Sequence, residues 1–201
     1  MTTKEDAIKI VEEFSKSENI ELEKLNIDDF ISYHVKHENL LSILGFLKNS
    51  PKLRFTVLTD LFAADFPSRN KRFEIGYNLL SLEQNLRVLL KISVDTEELV
   101  PSVNSVFSAS CWYEREIFDM FGIRFKDCPD MRRILTDYGF VGHPLRKDFP
   151  LTGYLEVEYD AGLEQVVYKP VELVQEFRKF DFLSPWKGPS YVLPGDEKAT
   201  K

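Results

Sequence analysis

With 201 residues, 43% hydrophobic and 29% charged, the chain has the apolar content for one domain of good size or a domain with a tail. A net charge of -7 argues against nucleic acid as a partner, since tracking phosphates requires a basic excess. No apolar run approaches the roughly 18 residues of a spanning helix, and the acidic start MTTKEDAIKIVEEF has neither a secretory signal core nor the arginines of a transit peptide.

In chain order, Thr2 or Thr3 followed by Glu5 or Asp6 resembles a capping box. Ala7, Ile10, Val11 and Phe14 then form one face of a helix expected over residues 4–15. A strand is expected over residues 29–35, an amphipathic helix over 40–47 ending near Pro51, and a second strand over 53–59. A helix between two strands favours a parallel, right-handed crossover. Phe73, Ile75, Tyr77 and Leu79 alternate with polar or small residues, as do Leu86, Val88, Leu90 and Ile92, so these runs predict a hairpin joined by SLEQN. Pro101 and Ser102 are expected to open a short helix.

The run from Trp112 to Pro150 stands apart. It has seven Lys/Arg and seven Asp/Glu, so it is neutral within an acidic chain, which suits a patch that meets another polypeptide. Residues 112–121 read as a helix with Tyr113, Ile117, Phe118, Met120 and Phe121 on one face. Arg115, Glu116 and Asp119 fall opposite, where Arg115 and Asp119 can pair across one turn. Glu114 points into the apolar face and needs a partner there, with Arg132, Arg133 and Arg146 as candidates. Such a buried acid is read as structural rather than catalytic. Trp112 sits among the charges, either as a lone exposed aromatic or under a partner. Gly122 suits a left-handed helix end. Pro129 and Asp130 signal a turn or helix start, and GHPLRKDFP should be extended or turned, yet stiff. It holds Arg146 and Lys147 beside His143 and Asp148, an arrangement suited to binding a specific surface.

Beyond Pro150, YLEVEYD and QVVYK read as a hairpin turning near Gly162. The segment after it, with Phe177, Phe180, Phe182 and Trp186, is expected to lie over the domain or a neighbouring subunit, with a disordered end. The domain organisation expected is 1–150 as an α+β domain and 151–201 as an extended arm. Cys111 and Cys128 form no C-x-x-C pair and are expected to be small buried thiols, with neither a disulfide nor a metal site. His34 and His37 read as a solvated pair. There is no phosphate loop.

The strings EREIFDMFGI, RRILTDYGF and GHPLRKDFPL, flanked by FPSRNKRFEIGYNLLSLEQNLRVLLKISVD and VVYKPVELVQEFRKFDFLSPW, resemble the C subunit family of respiratory NADH:quinone oxidoreductase (complex I) over roughly residues 53–190. The pattern departs at Cys111, where the family usually has Asn, and at Asp127-Cys128, where it usually has Gly-His. The resemblance implies a peripheral-arm subunit that carries no cofactor of its own, in a complex with FMN and iron–sulfur clusters. It implies quinone-site and iron–sulfur subunits as partners, and indirect membrane association at the cytoplasmic face of a bacterial inner membrane, or at the mitochondrial matrix side if the chain is organelle-encoded. The fold expected is α+β, with helices packed on a mixed β-sheet and an extended C-terminal arm. Two alternatives are an equivalent scaffold subunit of a membrane-bound hydrogenase, and a stand-alone enzyme using Glu114, Asp119, His143 and Asp148 around Arg146.

Overall fold

A computed structural model describes residues 2–26 and 31–175. The chain forms two compact units, 1–153 and 154–201. In the first, helices α1 (Lys4–Ser17), α2 (Leu40–Asn49) and α3 (Ser110–Phe121) accompany a five-stranded sheet. The strands are β1 (Leu22–Lys24), β2 (Ile31–Val35), β3 (Val57–Asp65), β4 (Phe73–Ser81) and β5 (Leu86–Val94), in the spatial order β1-β2-β5-β4-β3. The β2–β5 pair is parallel and the others antiparallel, so the sheet is mixed.

The N-terminal cap forms at Thr3, whose hydroxyl oxygen accepts from the Asp6 amide at 3.2 Å. The first helix docks on the second through Phe14 and Phe46, whose rings stack at 3.8 Å. Phe73, Ile75, Tyr77 and Leu79 of β4, with Val88, Leu90 and Ile92 of β5, are buried as their alternation requires. Full burial of one such side chain contributes about 1.5–3 kcal/mol, which makes this hairpin the centre of the core.

Several expectations need correction. The strand expected over residues 53–59 is displaced, because β3 begins at Val57 and runs to Asp65. Leu53 and Phe55 are fully buried, but they enter the core from the turn that closes α2. There the Arg54 and Phe55 amides donate back to the carbonyls of Ser50 and Leu47, and Arg54 adopts φ 47°. Alternating apolar residues therefore served a helix cap. The crossover through α2 connects strands running in the same direction, yet β3 lies at the far edge of the sheet, with β5 and β4 between it and β2.

The short helix expected after Pro101 is absent. Leu99–Pro101 form β6, parallel to β7 (Arg124–Lys126), and a single turn follows in which the Phe107 amide donates to the Val103 carbonyl at 2.8 Å. Of the turn or helix start expected at Pro129, the helix does not form. The amides of Ile134, Leu135 and Thr136, which would feed a helix, are drawn to a side chain of α3 instead.

His34 is half-buried and hydrogen-bonded to the Ser93 hydroxyl across the β2–β5 pair, rather than solvated. In the second unit, β8 (Leu155–Asp160) and β9 (Gln165–Pro170) form the expected antiparallel hairpin around Gly162. Asp29 and Phe30 of the expected first strand, and the aromatic segment from Phe177 to Trp186, lie outside the described residues.

Candidate functional site

The site is the loop 127–149 and the helix it wraps. Its centre is Asp119, which α3 was expected to turn to solvent and which is 0% exposed. The loop covers that side of the helix, so both sides of α3 are occupied. One oxygen, Oδ2, accepts the amides of Ile134, Leu135 and Thr136 at 3.0, 2.7 and 2.9 Å. The other, Oδ1, accepts the Thr136 hydroxyl at 2.6 Å and Arg133 Nη1 at 2.8 Å. Three successive amides aimed at one oxygen make an anion-binding concavity, here filled by the chain's own carboxylate. Burial by itself would raise the Asp119 carboxyl. The Thr136 hydroxyl and the three amides outweigh it and hold the group well below the ordinary carboxylate range.

The same loop caps the helix. The last carbonyls of an α-helix have no partner within it. Here the Phe118 carbonyl takes the Gly122 amide at 2.8 Å, the Asp119 carbonyl faces His143 Nδ1 at 2.9 Å, and the Met120 carbonyl takes the Leu145 amide at 3.0 Å. The Phe121 carbonyl takes Arg146 Nε. Because a carbonyl can only accept, His143 has its proton on Nδ1. Burial lowers the His143 pKa and so favours the neutral ring; the Asp119 carbonyl opposes that shift, and the charges of Arg146 and Arg133 add to it. Gly122 has φ 77°, and a Cβ there would lie 2.5 Å from Arg146 Nη2 and 2.6 Å from His143 Nε2. Both the left-handed turn and the close approach require glycine.

A second carboxylate anchors the loop to the sheet. Asp65, at the end of β3, takes both Arg72 Nε and Nη2 at 2.7 Å and the Lys147 amide at 2.7 Å. Arg72 Nη1 also reaches Asp148 at 2.9 Å. The guanidiniums of Arg72 and Arg146 lie 5.2 and 5.4 Å from the Phe73 ring centre, tying the loop to the core hairpin. The Arg72 hydrogen bond, aided by the Lys147 amide and opposed by burial, lowers the Asp65 pKa.

Arg115 does not pair with Asp119. Its Nε and Nη2 donate to the carbonyls of Arg132 and Arg133 at 2.9 and 3.3 Å, and its Nη1 lies 3.4 Å from Asp130. Its guanidinium also sits 5.1 Å from the Trp112 ring, which remains 63% exposed.

Glu114 is fully buried, as expected, but its expected arginine partner is corrected. Its carboxylate accepts the Ser102 hydroxyl at 2.7 Å and the Val103 amide at 2.8 Å, while Arg132, Arg133 and Arg146 are engaged at Asp130, Asp119 and Phe121. Glu116 and the Lys147 side chain are exposed. The acid–base grouping is therefore split, with Asp119, His143, Arg146 and Asp148 around the end of α3 and Glu114 on the β6 side. Asp119 accepts five hydrogen bonds, which leaves its roughly four lone-pair sites filled and no site for a substrate proton. Sequence reasoning missed Asp65, Arg72, Ser102 and Thr136. Their roles come from contacts between distant segments, which no local pattern marks.

This arrangement presents several large hydrophobes outward. Leu135, Tyr138, Val141, Leu145 and Leu151 are exposed, Tyr138 completely and Val141 by 84%. These exposed hydrophobes stand beside exposed charges at Arg132, Lys147 and Asp148, and apolar exposure on this scale is typical of contact surfaces.

Comparison with known proteins agrees. Residues 33–155 match the family described as respiratory-chain NADH dehydrogenase, 30 Kd subunit. The NADH-quinone oxidoreductase C subunit of Rickettsia felis is 55% identical over 192 residues, covering 96% of this chain and 93% of that protein. The C subunit of Mesorhizobium japonicum is 54% identical over 169 residues, covering 84% of each. A chain in the structure of the membrane-bound sulfane sulfur reductase, an archaeal respiratory membrane complex, matches with a TM-score of 0.61 and 25% identity, over 73% of this chain and 85% of that one. The chain belongs to the family of the NADH-quinone oxidoreductase C subunit, the 30 Kd subunit of respiratory-chain NADH dehydrogenase. It is a peripheral-arm subunit of that respiratory complex, and other subunits of the complex are its partners.

Proposed function

We propose that this chain acts as a scaffold that holds the quinone-site and iron–sulfur subunits of the complex in register and performs no redox step itself. The observation that carries the reading is the double anchoring of loop 127–149. Asp119 and the end of α3 fix it from one side, and Asp65 with Arg72 from the other. A loop held this way presents Trp112, Leu135, Tyr138 and Val141 with little conformational freedom left to lose on binding. Arg115, Arg132, Arg133, His143, Arg146, Lys147 and Asp148 shape and flank that face, while Glu114 and Asp119 support it from within. The same fold in an archaeal complex named for a different reaction, sulfane sulfur reduction, supports a role in architecture over a role in chemistry.

The C-terminal unit extends the proposal. Leu155, Val157 and Tyr159 of β8 share one face with Val166 and Tyr168 of β9, all exposed. The opposite face carries Glu156 and Glu158, both paired with Lys169. Among the described residues this unit has two strands, a two-stranded hairpin is marginal in water, and its exposed apolar face is assigned to a partner subunit of the complex. FMN and the clusters belong to those partners. Among the described residues no helix is long and apolar enough to cross a membrane, and attachment at the cytoplasmic face of the inner membrane runs through the complex.

Tyr138→Asp combined with Val141→Asp tests the reading. The variant chain is expected to fold normally by circular dichroism and to lose co-purification with the other peripheral-arm subunits from native membranes. Full co-purification would refute it.

A further inference from the structure

The two cysteines, 17 positions apart in sequence, meet in space with their sulfurs 4.0 Å apart. Cys111 lies in the first turn of α3, and Cys128 lies two residues beyond β7. Both are half-buried free thiols. Their approach is set by ordered backbone. The β7 strand is paired to β6, and Asp127, at φ 63°, turns the chain back toward the helix. A disulfide needs sulfurs about 2.0 Å apart. Closing the gap from 4.0 Å takes about 2 Å of movement.

We propose that Cys111 and Cys128 form a reversible dithiol–disulfide site whose co-substrate is a low-molecular-weight disulfide of the glutathione class. In the first step the Cys111 thiolate attacks one sulfur of the small disulfide. That S–S bond breaks, one small thiol leaves and takes up a proton, and Cys111 holds the other half as a mixed disulfide. In the second step Cys128 gives its proton to solvent and attacks the Cys111 sulfur, expelling the second small thiol. Two protein thiols are oxidised to one disulfide, and the small disulfide is reduced to two thiols.

Burial pushes the Cys128 thiol up to about 12; a backbone hydrogen bond at Asp130 opposes that shift and the Glu114 carboxylate adds to it. The Cys128 thiol also donates to the Asp130 carbonyl at 3.3 Å, which holds its proton in place, so the first attack falls to Cys111. The bond would tie the root of loop 127–149 to the first turn of α3, beside the contacts that Arg115 makes to the same loop. None of this rests on the scaffold reading.

The full chain, equilibrated with graded ratios of reduced to oxidised glutathione, tests the proposal. Free thiols are then alkylated, and the peptide joining Cys111 to Cys128 is quantified by mass spectrometry. The same titration in urea is the reference. The effective concentration of the pair is expected to be roughly tenfold or more higher in the folded chain, about a 30 mV change in potential for a two-electron couple. A value equal to or below that in urea overturns the site. In separate reactions, Cys128→Ser is expected to gain the glutathione adduct at Cys111 faster than Cys111→Ser gains it at Cys128. The reverse order overturns the assigned sequence of attack.

Discussion

The carboxylate of Asp119 and the guanidinium of Arg133 meet at 2.8 Å across fourteen positions of sequence, with the carboxylate fully buried. Arg133 also donates to the Gly142 carbonyl at 3.0 Å, so one side chain clamps both arms of the loop to the helix. Asp119→Ala removes the carboxylate partner of that guanidinium, which keeps only Gly142 and Thr136, and leaves three amides without their acceptor. Breaking a buried, hydrogen-bonded ion pair costs about 3–5 kcal/mol, and a loss of that size is expected in urea unfolding. Asp119→Asn should lose less, because an amide oxygen still accepts. A loss within about 0.5 kcal/mol for the alanine variant, the range of ordinary surface changes, would contradict the central role of this acid.

Stability should fall in acid for a reason that can be assigned. The Asp119 and Asp65 carboxyls have folded-state pKa values below the ordinary 3.8. Their contribution is complete above that value and is lost as pH falls toward the folded pKa values, because the unfolded chain takes up protons first. His143 adds a second, milder window. Its folded pKa is lowered from 6.5, so the unfolded state gains a proton before the native state does, and stability declines as pH falls below 6.5. Urea midpoints measured from pH 8 to pH 3 should show both slopes. His143→Gln should remove only the upper one; an unchanged upper slope would reject the assignment.

Gly122→Ala should cost more than an ordinary helix end. Alanine at a left-handed position costs about 1–2 kcal/mol, and here its Cβ would also meet His143 and Arg146. Thermal unfolding should show the loss. His143→Ala in the same chain should recover part of it by opening the space, and a purely additive double variant would speak against the contact.

Glu114→Ala and Arg146→Ala should lower the amount of complex assembled while leaving NADH–quinone turnover per assembled complex unchanged. In Glu114→Ala the Ser102 hydroxyl and the Val103 amide are left buried without an acceptor. Each such group costs about 1–3 kcal/mol. Arg146→Ala uncaps the Phe121 carbonyl at the end of α3. Normal assembly with lost turnover would mean that these residues act in the chemistry.

The sequence by itself determined the parts whose signal is local. The capped first helix, the alternating hairpin at Phe73–Val94, the Gly122 stop of α3 and the β8–β9 hairpin are each dictated by a period or a turn residue within a short window. The family could be recognised from the unbroken strings between Trp112 and Pro150, because a long specific string needs no folding to be compared. Only the tertiary structure decided where β3 lies, that Leu53 and Phe55 reach the core from a turn, and that Asp119 rather than Glu114 receives the arginine. The physical reason is common to all three. A carboxylate or an amide bonds whichever donor or acceptor the fold brings nearest, and at Asp119 those partners lie fourteen to seventeen positions away, beyond the reach of any periodicity.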